Sequence, residues 1–231
     1  MTDYRVVFTV MLIVGVAVYG GLTGAQFALG SGQDGPETTA TEPLVRGTTI
    51  HLDRSGRPTV VGEVVNGFDT SITNVTVTVT FYRNGTQIGQ VTQAALRETL
   101  EAGDRAPFDV HMRSSGEADR YEVALSYDRG GEVVPGLTVE NASVAREAQS
   151  QVDVVGEITN TRGEPLVVDR VVATFYNANG SVIGARTVRP SRTIQPDGSY
   201  SVRIEFRTLG DVPSLAQEFA RFEISIVAAR A

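Results

Sequence analysis

His51 and His111 are the only imidazoles in the 231-residue chain, which contains no cysteine. A zinc centre built on histidine would need both of them plus a carboxylate, and no HxH or HxxxH spacing joins them. His111 precedes Met112, yet a blue-copper centre also requires a thiolate. The two histidines therefore read as unrelated strand residues. Lack of cysteine excludes disulfides, thiol nucleophiles, iron–sulfur clusters and lipid anchors on cysteine. No GxSxG elbow is present, no GxGxxG or GxxxxGK[ST] loop follows a predicted strand, and EF-hand spacing is absent. No catalytic, cofactor-binding or metal-ligating residue is assigned, and the chain is expected not to be an enzyme.

The pattern with most chemical content is N-x-[ST]. Asn74-Val-Thr76, Asn84-Gly-Thr86, Asn141-Ala-Ser143 and Asn179-Gly-Ser181 account for four of the seven asparagines, where roughly one would arise by chance at this Ser and Thr content. In an exported protein these are acceptors for N-glycosylation. Asn-Gly is also what a tight hairpin demands, so a structural reason for the same residues stands beside the chemical one. Asn84, Asn141 and Asn179 are the better acceptors, because Asn74 falls at a strand start.

The elements that position these residues emerge from an internal repeat. Val60-Val-Gly-Glu-Val-Val-Asn66 recurs as Val154-Val-Gly-Glu-Ile-Thr-Asn160, and Val77-Thr-Val-Thr-Phe-Tyr82 recurs as Val171-Val-Ala-Thr-Phe-Tyr176, both displaced by 94 residues. Nine of the 24 positions from 60 to 83 are identical to their counterparts, against roughly two by chance. After one inserted residue Gly85, Ile88 and Gly89 match Gly180, Ile183 and Gly184, and Tyr121-Glu-Val-Ala-Leu125 resembles Phe222-Glu-Ile-Ser-Ile226. Two copies of one domain are expected, at 45–130 and 137–231.

Each copy reads as strands. Val75, Val77, Val79 and Phe81 alternate with threonines, the period of a half-buried strand. Asn84-Gly85 and Asn179-Gly180 then predict hairpins. Comparing the copies assigns Val60, Gly62, Val64 and Val154, Gly156, Ile158 to the core. Glu63 and Glu157 fall on the opposite parity, as solvated sheet charges. The fold class is all-β: two tandem small immunoglobulin-like β-sandwiches after an N-terminal transmembrane helix. One short helix is predicted over Asp211–Phe219, which has a capping residue and an early proline.

From Val6 to Leu29 there is no charge. As a helix these residues would reach roughly 36 Å, enough for a hydrocarbon core of about 30 Å. Arg5 before the segment and acidic residues after it place the N-terminus inside and the remainder outside. The domain plan is a membrane anchor at 1–30, a Gly/Ser/Pro/Thr-rich tether at 31–44 and the two sandwiches. Thr23-Gly24-Ala25 offers small residues for a signal peptidase, so cleavage and secretion is the rival reading. Both readings export the rest of the chain.

Partner classes follow from charge. The 20 basic residues are all arginine, against 27 acidic, for a net charge of -7. A phosphate backbone needs a basic stripe, so nucleic acid is excluded. The pattern VVGEVxN, then VxVTFYxxxGxxIG, then the strand Pro107-Phe-Asp-Val110, resembles the FxLYD-type domain. That resemblance covers roughly 45–129 and 137–230 and implies a small β-sandwich in exported proteins, without a catalytic signature. The second copy departs at Ser201-Val202, where the first has Pro107-Phe108. The acidic, lysine-free composition resembles that of haloarchaeal exported proteins; in molar salt the Debye length is about 3 Å and charge steering is screened. Recognition would then rest on shape, short hydrogen bonds and sheet edges. The expected function is a non-enzymatic, membrane-anchored binding or spacer protein of the envelope, with envelope proteins or polymers as partners. An accessory subunit of a transport or secretion complex is the alternative.

Overall fold

The computed structural model describes residues 13–16, 42–53, 55–148, 151–207 and 218–231. Among them the regular structure is entirely β. The strands are β1 (Ile13–Val16), β2 (Leu44–Leu52), β3 (Pro58–Val65), β4 (Ile72–Arg83), β5 (Thr86–Ala94), β6 (Arg105–His111) and β7 (Arg120–Arg129), followed by β8 (Leu137–Ala148), β9 (Gln151–Asn160), β10 (Leu166–Asn177), β11 (Val182–Val188), β12 (Arg192–Ile194), β13 (Ser199–Arg207) and β14 (Phe219–Arg230).

They form four antiparallel sheets, with strand orders β2–β3–β6, β1–β7–β4–β5, β8–β9–β13, and β11–β10 with β12 and β14 also on β10. Pairings recur across the sequence repeat. Gly62 faces Phe108 as Gly156 faces Val202, and Phe81 faces Tyr121 as Phe175 faces Phe222. One apolar core gathers around Val64, Phe81, Phe108 and Val123, and a second around Ile158, Phe175, Ile204 and Phe206. The alternating valines of β4 enter the first core, as the two-residue period dictates. Gly62 is required by its neighbour: a Cβ there would lie 2.7 Å from the Phe108 ring.

Asn66 and Asn160, which end the repeated motif, are fully buried brackets. The Asn66 amide donates to the carbonyls of Thr70, Leu100 and Glu101 at 2.9, 3.1 and 2.9 Å, and its oxygen accepts from the Phe68 amide at 3.0 Å. Asn160 repeats the arrangement on Glu164, Ile194 and Arg162. Each one satisfies loop backbone groups that would otherwise be buried without partners.

The hairpins diverge where the second copy has its extra residue. Asn84 and Gly85, at φ 50° and 75°, make a two-residue turn with both central residues left-handed, as expected. The second loop spans Ala178–Gly180, closed by Asn177 and Ser181, with Gly180 at φ 78°. Asn179-Gly180 is thus not the two-residue turn that the dipeptide suggests, because the inserted residue lengthens the loop.

Two expectations fall largely outside the described residues. Of the helix over Val6–Leu29, only Ile13–Val16 is described, and there it is a strand pairing antiparallel with β7 instead of a helix. Its branched residues suit a pleat, and the second edge of β7 is open to receive them. Among the described residues no helix is long and apolar enough to cross a membrane. The helix over Asp211–Phe219 also lies outside the described residues, except that Glu218 is a bend and Phe219 opens β14.

Candidate functional site

Polar side chains gather where the outer face of β2–β3–β6 meets the outer face of β10 and β11. On β3 the core parity is as expected, with Val60 and Val64 buried in the first core. The opposite parity is buried too: Thr59 and Val61 are 0% exposed and Glu63 only 4%. Glu63 is therefore not the solvated sheet charge expected from its sequence position, because β10 and β11 of the second repeat lie over it. Val61, Tyr176 and Val182 form a small apolar cluster across this seam. The Thr49 hydroxyl donates to the Val182 carbonyl at 2.5 Å. At Gly47, in the left-handed region at φ 59°, a Cβ would stand 3.3 Å from the Gly180 oxygen and the Val182 nitrogen, so a side chain would crowd the seam backbone.

At the centre of the seam a single phenol lies between two carboxylates. Tyr176 is 1% exposed and its hydroxyl lies 2.9 Å from Glu63 Oε2 and 3.3 Å from Glu223 Oε2. A phenol has one proton to donate, so the nearer Glu63 takes the stronger bond. The Arg105 guanidinium lies 3.3 Å from the other Glu63 oxygen, and that of Arg221 lies 3.7 Å above the Tyr176 ring while holding Glu223. Burial, reinforced by Glu63 and Glu223, pushes the Tyr176 phenol well above its usual range, and Arg221 opposes this only in part. Tyr176 is consequently a fixed donor rather than a base or nucleophile. Glu157 follows the expected outward parity, half-buried, and accepts from the Ser199 hydroxyl at 2.5 Å.

At one end of the seam the histidines lie in one row: His51 and His111 each face Thr59 across the sheet, from strands either side of it. Thr59 Oγ1 lies 2.8 Å from His111 Nδ1, and His111 Nε2 lies 3.1 Å from Asp109 Oδ1. Arg186 of β11 reaches Asp109 Oδ2 at 3.6 Å from the second repeat. Burial holds the His51 imidazole below the usual histidine range; Asp109 pulls it upward, while His111 and Arg186 add to the lowering. Both histidines lie on strands, as expected, and the sheet register sets them in one row with Thr59 between them. Among the described residues no three His, Asp or Glu side chains gather closely enough to hold a metal ion. Elsewhere along the seam Arg170 donates to the Leu96 carbonyl at 2.9 Å and pairs with Glu98 at 3.6 Å.

All four sequon asparagines are exposed. Asn74, Asn84 and Asn141 adopt φ of 52°, 50° and 51°, a left-handed conformation that asparagine tolerates better than most residues. Asn141 sits in a register shift of β8 at the position that Gly47 occupies in β2. The acceptor nitrogen of Asn74 is engaged, donating to Asp128 at 2.8 Å.

The seam was hard to find in sequence because Thr49, Glu63, Asp109 and Arg186 look like ordinary outward strand residues. Tyr176 carried the one available signal: it recurs as Tyr82, on the solvent parity of a strand, where a large aromatic asks for a cover.

No protein-family model matches the chain, and no curated protein matches it. Solved structures show only faint similarity. Red sea bream transglutaminase is 16% identical, covering 72% of this chain and 28% of that one, with a TM-score of 0.23. A β-glucuronidase of glycoside hydrolase family 2 is 13% identical, covering 68% of this chain and 22% of that one, again with a TM-score of 0.23. The chain spans about a quarter of these structures, and similarity at that level carries no argument about activity.

Proposed function

We propose that the chain is a non-enzymatic spacer and binding protein of the cell envelope. In this reading two tandem immunoglobulin-like sandwiches of the FxLYD type, 45–130 and 137–231, stand outside the membrane on a tether at 31–44, and residues 1–30 anchor them. The observation that carries the reading is the seam: the polar outer face of the first repeat is bonded to the second through Thr49, Glu63 and Asp109. Side chains spent in this way hold two modules at a fixed angle, which is what a spacer requires, and leave the exposed sheet faces to meet partners. Ile13–Val16 lie on β7 in a four-residue ladder. In a bilayer the uncharged stretch from Val6 to Leu29 has a competing site, and roughly 20 apolar residues transferred into hydrocarbon outweigh so short an edge ladder. Glycans are expected on Asn84, Asn141 and Asn179, whose side chains stand at exposed turns or bulges.

Protease treatment of intact cells tests the reading. Cleavage beyond Ser31 from outside is expected, with the segment before it retained in the membrane fraction; full protection of the sandwiches contradicts the orientation. Mass analysis of the same material reads the four sequons, and unmodified peptides at all of them refute the glycan assignment.

A further inference from the structure

The seam joins unlike faces of like modules, and each chain carries one further copy of both faces. One is the outer face of β4, β5 and β7, the counterpart of β10, β11 and β14. The other is the outer face of β8, β9 and β13, the counterpart of β2, β3 and β6. Among the described residues most side chains on both faces are half-buried or exposed, Thr80 and Asp153 excepted.

The first open face reproduces the donor side of the seam. Tyr82 donates to Glu122 at 2.8 Å, and Arg120 lies 3.9 Å above its ring while pairing with Glu122 at 2.6 Å. This is the arrangement of Tyr176, Glu223 and Arg221. Tyr82 differs in being only half-buried, and among the described residues its hydroxyl bonds to Glu122 alone, with no second carboxylate in the part of Glu63. The second open face supplies such a carboxylate. Glu157 stands where Glu63 stands, Val155 where Val61 does and Ser143 where Thr49 does, and the pairing of Ser143 with Val155 repeats that of Thr49 with Val61.

We propose that the chain associates with a second copy of itself head to tail, the β4–β5–β7 face of one molecule docking on the β8–β9–β13 face of the next, with Tyr82 donating to Glu157. The internal seam is the template. Because the two faces are different, no two-fold axis relates the partners, and the contact can repeat from copy to copy into an open chain or a closed ring. The contact is weaker than the seam and needs molecules without a glycan on Asn141, whose side chain stands on the docking face where Gly47 leaves room in β2. Gln87 stands opposite Tyr82 where Val182 stands opposite Tyr176, and Arg203 faces Val155 where Asp109 faces Val61, so the apolar cluster shrinks and the ion pair with Arg186 has no counterpart. Copies that each carry -7 also repel, so association strengthens as salt screens them.

The chain has no cysteine, which makes thiol crosslinking clean. Gln87→Cys and Ser143→Cys occupy the counterparts of Val182 and Thr49, which touch across the seam. Full-length double variant in native membranes or detergent is expected to give a ladder of disulfide-linked dimers, trimers and longer chains on mild oxidation. The two single variants mixed should give one heterodimer, and adding Tyr82→Phe should lower its yield at least threefold. Single variants that crosslink with themselves as well as with each other overturn the head-to-tail geometry. Sedimentation of the unmodified chain is the second measurement: its mean mass should rise between low salt and about 1 M, where the Debye length falls to about 3 Å. A monomer at every salt concentration overturns the association itself.

Discussion

Replacing Tyr176 by phenylalanine removes one hydroxyl from a seam in which two carboxylates face it, at 2.9 and 3.3 Å. The ring stays, so packing against Val61 and Val182 is unchanged and the loss reports the hydrogen bond. Bonds to a charged acceptor contribute about 1.5–3 kcal/mol, and an unmet buried charge costs more. Glu63 is only 4% exposed but keeps Arg105 at 3.3 Å, which places the expected loss at about 2–3 kcal/mol. Glu63→Gln retains an oxygen for the phenol while discarding the pair with Arg105, for an expected loss of about 1–2 kcal/mol. If the two groups act on each other, the double variant loses less than the sum, with a coupling of about 1 kcal/mol or more. The repeat supplies the control. Tyr82→Phe breaks the same bond to the equivalent glutamate, beside the equivalent arginine, on a face open to water, and should leave the stability of the dilute protein unchanged. Urea unfolding of the full chain in detergent, followed by hydrogen exchange in peptides from β3 and β10, reads the four variants against the unmodified chain. With a slope of about 2–3 kcal/mol per molar urea, Tyr176→Phe should move the midpoint down by about 1 M. Equal behaviour of the two tyrosine variants, or strict additivity of Tyr176→Phe with Glu63→Gln, refutes the role given to the seam.

Asn66→Ala strips four hydrogen bonds from buried or part-buried backbone groups, and should cost about 3–5 kcal/mol; Asn160→Ala strips three and should cost about 1 kcal/mol less. The reverse order in urea unfolding would refute the bracket reading. The His51 corner predicts a pH dependence of fixed sign. His51 faces Asp109, His111, Arg186 and Asp53, and its folded pKa is lowered, so below about 6.5 the unfolded chain takes up a proton that the folded chain refuses. Stability should be flat above that pH and fall as pH drops below it, and His51→Gln should remove this part of the slope between about pH 6.5 and 5. Asp53, held low by hydrogen bonds from Arg57 against the opposing push of burial, acts only in a more acidic window. An unchanged slope in His51→Gln sinks the assignment.

What could be read from the residues was local. The period of Val75, Val77, Val79 and Phe81 defines the inward face of β4, and Asn84-Gly85 makes the tight turn it announces, because strand period and turn conformation are decided within a few residues. Parity alone placed Gly62 in the core and Glu63 outside it. That Glu63 is nonetheless buried depends on a module 94 residues away lying over it, and no local pattern records a cover of that kind. The histidine row is hidden for a related reason. Residues 60 apart share a row, either side of Thr59, only through the registers of β2 on β3 and β3 on β6, which a spacing search does not see. Asn66 was visible as a repeated letter, but its work is done on carbonyls of loops whose courses the sequence does not reveal.

The brackets also decide where this chain ages. Asn66 is followed by Gly67, and Asn84 and Asn179 are followed by Gly85 and Gly180, the dipeptide in which the next backbone nitrogen most readily attacks the asparagine side-chain carbonyl and expels ammonia. That attack requires the side chain to swing toward the following amide. Asn66 is tied to three carbonyls and one amide in the interior and is not free to swing, whereas Asn84 and Asn179 stand exposed at hairpin tips. Where Asn84 and Asn179 carry no glycan, the turns gain negative charge over time while the interior asparagine keeps its amide, so chemical wear is confined to sites where the fold does not depend on the side chain.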